Sequence, residues 1–358
     1  MLLKWIKEIV ERVFNASTFL KLRSHSSRRR VYRLLTAQYL NYGDHAIAWA
    51  EEQFLKKYFP GLDVVEISFS FYEFWPEKFE KAVKPGDVLL ITGGGFMGDL
   101  WPHSQALINR IVRVFPHNKT VIFPQTIYFS SVGVDNKIFQ QTREIFLQHE
   151  DLWLFVREEN SLRMATELFL PELADRCFLV PDIVISLPEQ RFPVKRKGAL
   201  LVLRSDHERV IPLEAEKQIT AFLEERQVPC RRALMMISHM EIPVALRKWF
   251  LKPKLRQYAK VRLVVTDRLH GMLFAYVTRT PCLVFDNVSK KVSGVHRWIE
   301  YCPWVQIAGE NWQGQLDELL GQPLAQCKGR EMEAHFAPLR RVLEKILQEV
   351  PNGQKKGR

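Results

Sequence analysis

Six consecutive residues in the C-terminal half, Thr266-Asp267-Arg268-Leu269-His270-Gly271, combine side chains suited to anion binding and proton transfer. They follow an apolar, β-branched stretch at 261–265, typical of a buried parallel strand, and precede a predicted helix at 272–277. Such strand ends are where α/β folds bind ligands, and a helix N-terminus favours anions. Arg268 suits a carboxylate or phosphate, and His270 can exchange a proton near neutral pH. The alternative is an ion pair at Arg268 and a buried structural histidine at 270.

The two residues before Arg268 have a predicted structural role. Thr266 and Asp267 are good caps for the first turn of the following helix. Gly271 lets a ligand approach the backbone closely. The run therefore predicts an anion site at the start of a helix.

Polar motifs follow several other predicted strands as well. They are Asn41-Tyr42-Gly43-Asp44, Gly93-Gly94-Gly95, Pro124-Gln125, Arg157-Glu158 and Pro181-Asp182. In parallel sheets these strand ends share one rim, so we expect the motifs to line a common cleft.

Three of these motifs have a structural and a functional interpretation. The glycines at 93–95 match neither a G-x-G-x-x-G fingerprint nor a Walker A sequence; they form a flexible turn or offer backbone N–H groups to an oxygen-rich ligand. Arg157 either pairs with Glu158 or Glu159 at the surface or brings a second cation to the cleft. Asp44 either caps its helix or accepts a proton from a hydroxyl group.

Strand-like and helix-like segments alternate along the chain, which predicts parallel sheets with right-handed crossovers. Two such blocks separated by a proline-rich, cation-rich stretch predict an α/β fold of two Rossmann-like domains facing a cleft. The predicted parts are a basic amphipathic helix at 1–30, an N-terminal domain at 31–187, a linker at 188–198, a C-terminal domain with a final helix at 199–350, and a disordered tail at 351–358.

The basic charge of the chain is concentrated at its start. The net charge is +12, and half of it comes from eight Lys or Arg and two Glu within the first 30 residues. Apolar residues recur among these charges at helical spacing and include Trp5, which predicts an interfacial membrane helix. A helix packed on the folded body or on a partner is the alternative. Because no known nucleic-acid module is present, we do not expect nucleic-acid binding.

The remaining composition predicts a cytoplasmic protein. No apolar stretch approaches the roughly 18 residues of a membrane span, and the N-terminus has no secretory signal pattern. Five scattered cysteines without a C-x-x-C pair predict neither a zinc site nor a disulfide framework, so we expect no metal and a reducing compartment.

Taken in order, the motifs resemble those of the polysaccharide pyruvyl transferase family. The resemblance rests on the strand-end motifs above together with Phe96, Thr126, Ser161, the Asp267-to-Gly271 run, residues 281–285, Lys290-Lys291 and Gly294, and covers about 32–294. It implies a GT-B-like fold and transfer of a pyruvyl group from phosphoenolpyruvate to a sugar, with no further cofactor. It also implies that Arg157, Arg268, Leu269 and His270 contact phosphoenolpyruvate.

The residue chemistry agrees with that implication. We expect His270 to act as the acid and Asp44 as the base. Further expected substrate-binding residues are Asn41, Gly93, Gly94, Gly95, Gln125 and Lys290.

The N-terminal extension lies outside the family pattern. It suits a lipid-linked saccharide acceptor and peripheral contact with the anionic inner membrane face. Two other functions stay open: a GT-B glycosyltransferase that uses a nucleotide sugar, and a non-catalytic, membrane-associated factor of polysaccharide assembly.

Overall fold

Two parallel β-sheets form the framework of the chain. The computed structural model describes residues 2–24, 29–204, 211–287, 289–321 and 332–348. The strands are β1 Val31–Thr36, β2 Tyr39–Asn41, β3 Val64–Ser68, β4 Val88–Ile91, β5 Gly94–Gly98, β6 Thr120–Tyr128, β7 Leu152–Val156, β8 Cys177–Leu179, β9 Ala199–Val202, β10 Cys230–Arg232, β11 Met236–Glu241, β12 Leu263–Thr266, β13 Cys282–Val284 and β14 Val305–Ile307.

The first sheet has the order β3-β1-β4-β6-β7-β8, with β5 also paired to β6, and the second has the order β10-β9-β12-β13-β14. Every strand pair within these two sheets is parallel. An antiparallel ribbon of β2 and β11 joins the two halves of the chain. The predicted α/β class, with two parallel sheets facing a cleft, is confirmed.

Helices cover the sheets because most of the parallel strands are joined by helical crossovers. They are α1 Leu2–Phe14, α2 Ala16–Arg23, α3 Tyr42–Tyr58, α4 Phe69–Phe74, α5 Pro76–Glu80, α6 Pro102–Val114, α7 Lys137–Leu147, α8 Glu159–Arg163, α9 Leu213–Glu225, α10 Arg247–Ala259, α11 Leu269–Val277, α12 Lys291–His296, α13 Trp312–Gly321 and α14 Ala337–Gln348. A π-helix, Met164–Phe169, continues α8. No helix among the described residues has both the length and the apolarity needed to span a bilayer.

The N-terminal segment forms two helices rather than one. They are separated at Asn15, whose side chain bonds Glu11, and Glu11 is itself buried. Thr18 of α2 donates to the carbonyl of Glu66 on the edge strand β3, and the Phe19 ring lies 4.9 Å from that of Phe71. The segment thus covers an otherwise open sheet edge.

Two local predictions differ from the structure. The glycines at 93–95 were expected to form a turn, but β5 starts at Gly94, because that residue adopts a φ of +151° and pairs with Gln125 of β6. Residues 41–44 were also expected to form a turn, but they end β2 and begin α3. Residues 188–198 contain neither helix nor strand. The expected disordered tail at 351–358 lies outside the described residues.

Candidate active site

A cavity of about 320 Å³ lies between the two halves, at the carboxyl ends of the strands. Seven of the predicted site residues line it: Asn41, Asp44, Gly95, Arg157, Arg268, Leu269 and His270. The other lining residues are Tyr39, Phe69, Phe96, Trp101, Ser104, Arg204, Met235, Met236 and Lys291. The strand-end motifs therefore meet in space as their positions in the sequence predict.

Arg157 is a buried cation held from behind by an acid. It follows β7 directly, and its Nη1 donates to Asp182 Oδ2 at 2.7 Å while its Nε donates to Thr126 Oγ1 at 3.0 Å. Burial alone would raise the pKa of Asp182, but the Arg157 guanidinium and the His270 ring outweigh it and lower that pKa to about 2. Arg157 is thus fixed with its second terminal nitrogen, Nη2, toward Gly95. Arg157 Nε also lies 3.9 Å from Glu158 Oε2, so the alternative ion pair with Glu158 is present, but both side chains are buried rather than at the surface.

His270 lies where the two halves meet. Its Nε2 is 3.7 Å from Asp182 Oδ2, and a Cβ placed on Gly43 would lie 2.4 Å from its Nδ1. Gly43 is in the first turn of α3, so only a glycine there leaves room for the ring. Asp182 therefore bonds to Arg157 and lies close to His270. The sequence placed Asp182 after a strand, but no site role was predicted for it.

The helix after β12 begins earlier than predicted. Helix α11 starts at Leu269, its N-cap is Arg268, and no side chain caps its first turn. Thr266 Oγ1 instead accepts from the Arg268 N–H at 3.1 Å, and Asp267 Oδ1 accepts from the Arg204 N–H at 2.8 Å. The predicted capping roles of Thr266 and Asp267 are wrong, because both side chains bond to the loops around the strand end. The N–H groups in the first turn of α11 therefore have no side-chain cap at the cavity.

Lys291, rather than the predicted Lys290, lines the cavity. Lys290 has a left-handed backbone (φ +56°), and its side chain is 68% exposed and lies 3.8 Å from Asp286. Lys291 begins α12 and is buried; its Nζ would lie 3.8 Å from a Cβ on Gly95. The left-handed residue turns the chain, so adjacent lysines point to different surroundings.

The three glycines have three different roles. The Gly93 N–H donates to Glu51 Oε1 at 2.8 Å and is therefore not available to a ligand. Gly94 belongs to the β5–β6 pair and lies outside the cavity lining. Gly95 lines the cavity, and a Cβ there would lie 2.9 Å from Arg157 Nη2, so its missing side chain makes space beside two cations.

Glu51, on α3, is a buried acid beneath this loop. It accepts from Thr92 Oγ1 at 2.9 Å as well as from Gly93. Burial raises its pKa to about 7, although Arg33 and these hydrogen bonds oppose the shift. No sequence pattern pointed to this residue.

Asn41 and Asp44 lie at the start of α3 and line the same cavity. Asn41 Oδ1 caps the helix by accepting from the Gly43 N–H at 3.0 Å. Asp44 Oδ2 accepts from the Tyr39 hydroxyl at 3.0 Å. Burial raises the pKa of Asp44, and His270, Tyr39, Arg157 and Lys291 oppose that shift. The carboxyl group thus faces the cations across the cavity.

Gln125 supports the site without lining it. It is fully buried, and its Nε2 donates to the Thr92 carbonyl at 2.8 Å. It is not among the residues that line the cavity; it joins β6 to the end of β4.

The cavity lining combines cationic and aromatic side chains. Arg157, Arg204, Arg268 and Lys291 bring positive charge that exceeds the charge of Asp44, and the α11 N-terminus adds to it. The aromatic lining residues are Tyr39, Phe69, Phe96 and Trp101. Arg204 and Met235 belong to loops without a recognisable motif, so no sequence pattern pointed to them.

The chain is similar to known proteins over most of its length. A profile of the family described as polysaccharide pyruvyl transferase matches residues 41–289. General stress protein 30 of Bacillus subtilis is 28% identical over 316 residues, which cover 88% of this chain and 91% of that protein. Pyruvyl transferase 1 of Schizosaccharomyces pombe is 25% identical over 279 residues, which cover 73% of this chain and 68% of that protein.

Among solved structures, a functionally uncharacterized protein of Klebsiella pneumoniae superposes with a TM-score of 0.52. It is 15% identical, and the alignment covers 84% of this chain and 98% of that protein. At that identity the likeness shows the fold alone.

Proposed function

The chain belongs to the polysaccharide pyruvyl transferase family, and from that premise we propose that it transfers the pyruvyl group of phosphoenolpyruvate to a sugar of a lipid-linked polysaccharide precursor. The observation that carries the proposal is the meeting of Arg157, Arg268, Lys291 and His270 in one cavity. The product is a pyruvate ketal, and phosphate is released.

The cationic residues of the cavity lining suit phosphoenolpyruvate, the proposed donor. Phosphoenolpyruvate carries a carboxylate and a phosphate close together, and guanidinium groups bind such oxyanions through paired hydrogen bonds. Arg157 and Lys291 flank Gly95, whereas Arg268 stands at the start of α11. Three cations around a helix N-terminus thus match a small ligand of high charge density.

His270 and Asp44 suit the proton transfers. In the proposed reaction His270, as the imidazolium, gives its proton to the methylene carbon, and the neighbouring carbon becomes electrophilic. A sugar hydroxyl attacks that carbon and gives its proton to Asp44. A second hydroxyl then attacks as the carbon–oxygen bond to phosphate breaks, and its proton returns to His270. Asp44 passes its proton to the departing group, which leaves as hydrogen phosphate. Asp182 orients His270 and stabilises its charged form.

The acceptor would enter beside the aromatic residues of the lining. Aromatic faces pack on the apolar faces of sugar rings, and the Tyr39 hydroxyl donates to Asp44 Oδ2 at 3.0 Å. The sugar hydroxyls would then face the carboxyl group that takes their proton.

Contact with the anionic inner membrane face would bring a lipid-linked acceptor to the cavity. Helix α1 exposes Ile9, Val10 and Val13 beside basic residues, a pattern typical of interfacial helices. The nearby Gln38, which bonds Glu11 of α1, directly precedes Tyr39 of the cavity wall. This arrangement supports a cytoplasmic, peripheral protein.

The test is product formation. Purified protein with phosphoenolpyruvate and membrane-extracted lipid-linked saccharides should release phosphate and form a ketal methyl signal by NMR. Transfer of sugar from a nucleotide sugar under the same conditions, without consumption of phosphoenolpyruvate, would instead support a GT-B glycosyltransferase.

A further inference from the structure

Helix α10, in the C-terminal half, carries an exposed aromatic residue within a basic stripe. The Trp249 side chain is 76% exposed, and Leu246, one turn earlier, is also exposed. Lys248, Lys252 and Arg256 are exposed at i, i+4 and i+8, so they share one face of the helix next to Trp249. The cavity uses none of these residues.

The start of this helix lies near α2. Arg247 Nη2 at the start of α10 donates to Glu66 Oε1 at 2.5 Å, and Thr18 of α2 donates to the carbonyl of the same Glu66 at 3.2 Å. Both helices therefore bond to one residue of the edge strand β3. Lys21 of α2 is exposed and donates to the Val64 carbonyl of the same strand at 3.3 Å, and the adjacent Leu20 is exposed as well.

The surface between the two helices is rich in cations. Lys56 lies between them: it lines both a cavity that contains Lys21 and a second cavity that contains Lys248. The carboxylates there are engaged, since Glu52 pairs with Lys56 and Glu66 pairs with Arg33 and Arg247. The outward charge is thus positive, which complements an anionic surface.

We propose that Leu20, Lys21, Lys248, Trp249 and Lys252, here called the α2–α10 face, form a second contact with an anionic lipid bilayer. Tryptophan beside lysine is the composition that the headgroup region of a bilayer favours. Basic residues near anionic lipids attract them additively.

The second contact would fix the orientation of the protein. Arg247 Nη2 also donates to the Ala37 carbonyl at 3.3 Å, and the Ile242 N–H donates to the Gln38 carbonyl at 2.7 Å. The start of α10 and the segment before it are therefore bonded to the residues that lead to β2. Contacts from both halves would hold the cavity at a set height above the bilayer. A single N-terminal helix would leave the protein free to tilt.

The experiment is co-sedimentation of the full chain with vesicles of phosphatidylcholine containing about one-third phosphatidylglycerol, with pure phosphatidylcholine vesicles alongside. The wild type should bind the anionic vesicles, and added salt should weaken binding. Trp249→Glu and the double variant Lys248→Glu/Lys252→Glu should each lower the partition coefficient by about tenfold or more. Leu20→Glu should lower it as well.

Leu168→Glu is the matched control, because Leu168 is 50% exposed on the π-helix between β7 and β8, at the other edge of the sheet from β3. It should bind like the wild type. Unchanged binding of both α10 variants, or no binding of the wild type to anionic vesicles, would overturn the proposal. Since no readout depends on turnover, these results are independent of the proposed pyruvyl transfer.

Discussion

At the scale of single residues, the surroundings of His270 hold its ring in the position needed to donate a proton. The ring packs closely on Gly43, and its Nε2 lies 3.7 Å from Asp182 Oδ2. The ring is therefore oriented before substrate binds, and the nearby carboxylate stabilises its positive charge.

His270→Gln removes the proton donor but keeps a polar side chain of similar size. We expect turnover to fall by about 100-fold or more, with a much smaller change in phosphoenolpyruvate affinity because Arg157, Arg268 and Lys291 remain. Steady-state kinetics and ligand titration check this. An unchanged turnover would exclude acid catalysis by His270.

Lys290 and Lys291 provide a matched pair of variants. Lys291→Ala should raise the KM for phosphoenolpyruvate by about tenfold or more, since a charged hydrogen bond to substrate is lost. Lys290→Ala should leave it within about twofold because that side chain is exposed and faces Asp286. Equal effects of the two variants would show that the assignment of Lys291 to the donor is wrong.

At the scale of elements, the loop after β4 depends on a buried acid. Glu51 accepts hydrogen bonds from Thr92 and Gly93, and its pKa is raised to about 7. An acid whose pKa is raised in the folded state binds more protons there than in the unfolded chain. Its contribution to stability is therefore present below pH 4.5 and is lost as the pH rises toward 7.

Glu51→Gln should remove this part of the pH dependence. Between pH 5 and pH 7 the wild-type free energy of unfolding should fall by about 2 kcal/mol more than that of the variant. Denaturant unfolding at both pH values measures the difference. Glu52→Gln, an exposed neighbour, is the control and should retain the wild-type slope. A Glu51→Gln slope equal to the wild type would contradict the raised pKa.

Elements were easier to predict from the sequence than contacts. The apolar pattern and the turn residues predict a strand at 152–156 and a helix at about 213–225, and β7 and α9 have these bounds. The start of α11 was misplaced because Thr266 and Asp267 bond loop atoms rather than the helix. The sequence could not place Lys291, Arg204 and Tyr39 at the cavity. The left-handed backbone of Lys290 decides where Lys291 lies, and contacts between distant segments decide where Arg204 and Tyr39 lie.

At the scale of the whole molecule, the site exists because two helix N-termini from different halves meet. Helix α3 brings Asn41, Gly43 and Asp44, and helix α11 brings Arg268 and His270. The ribbon of β2 and β11 joins the halves beside the cavity. Small changes at this junction should therefore alter chemistry more than stability.

Gly43→Ala tests that junction. Its new Cβ would lie within 3 Å of the His270 ring, so the ring or helix must shift. We expect turnover to fall by about tenfold or more, while the melting temperature changes by only a few degrees. Gly309→Ala is the control because its Cβ would make only an ordinary contact with Gln315, at 3.8 Å. Wild-type turnover in Gly43→Ala would contradict the close contact.

The central claim is that phosphoenolpyruvate binds beside Arg268, and thermal unfolding with millimolar phosphoenolpyruvate tests it most directly. A ligand that binds only the folded state raises the melting temperature by mass action. We predict a rise of several degrees in the wild type and in Arg226→Ala, whose exposed arginine pairs with Asp317, and its loss in Arg268→Ala. A rise with nucleotide sugars alone, or an equal rise with phosphoenolpyruvate in Arg268→Ala, would contradict the account.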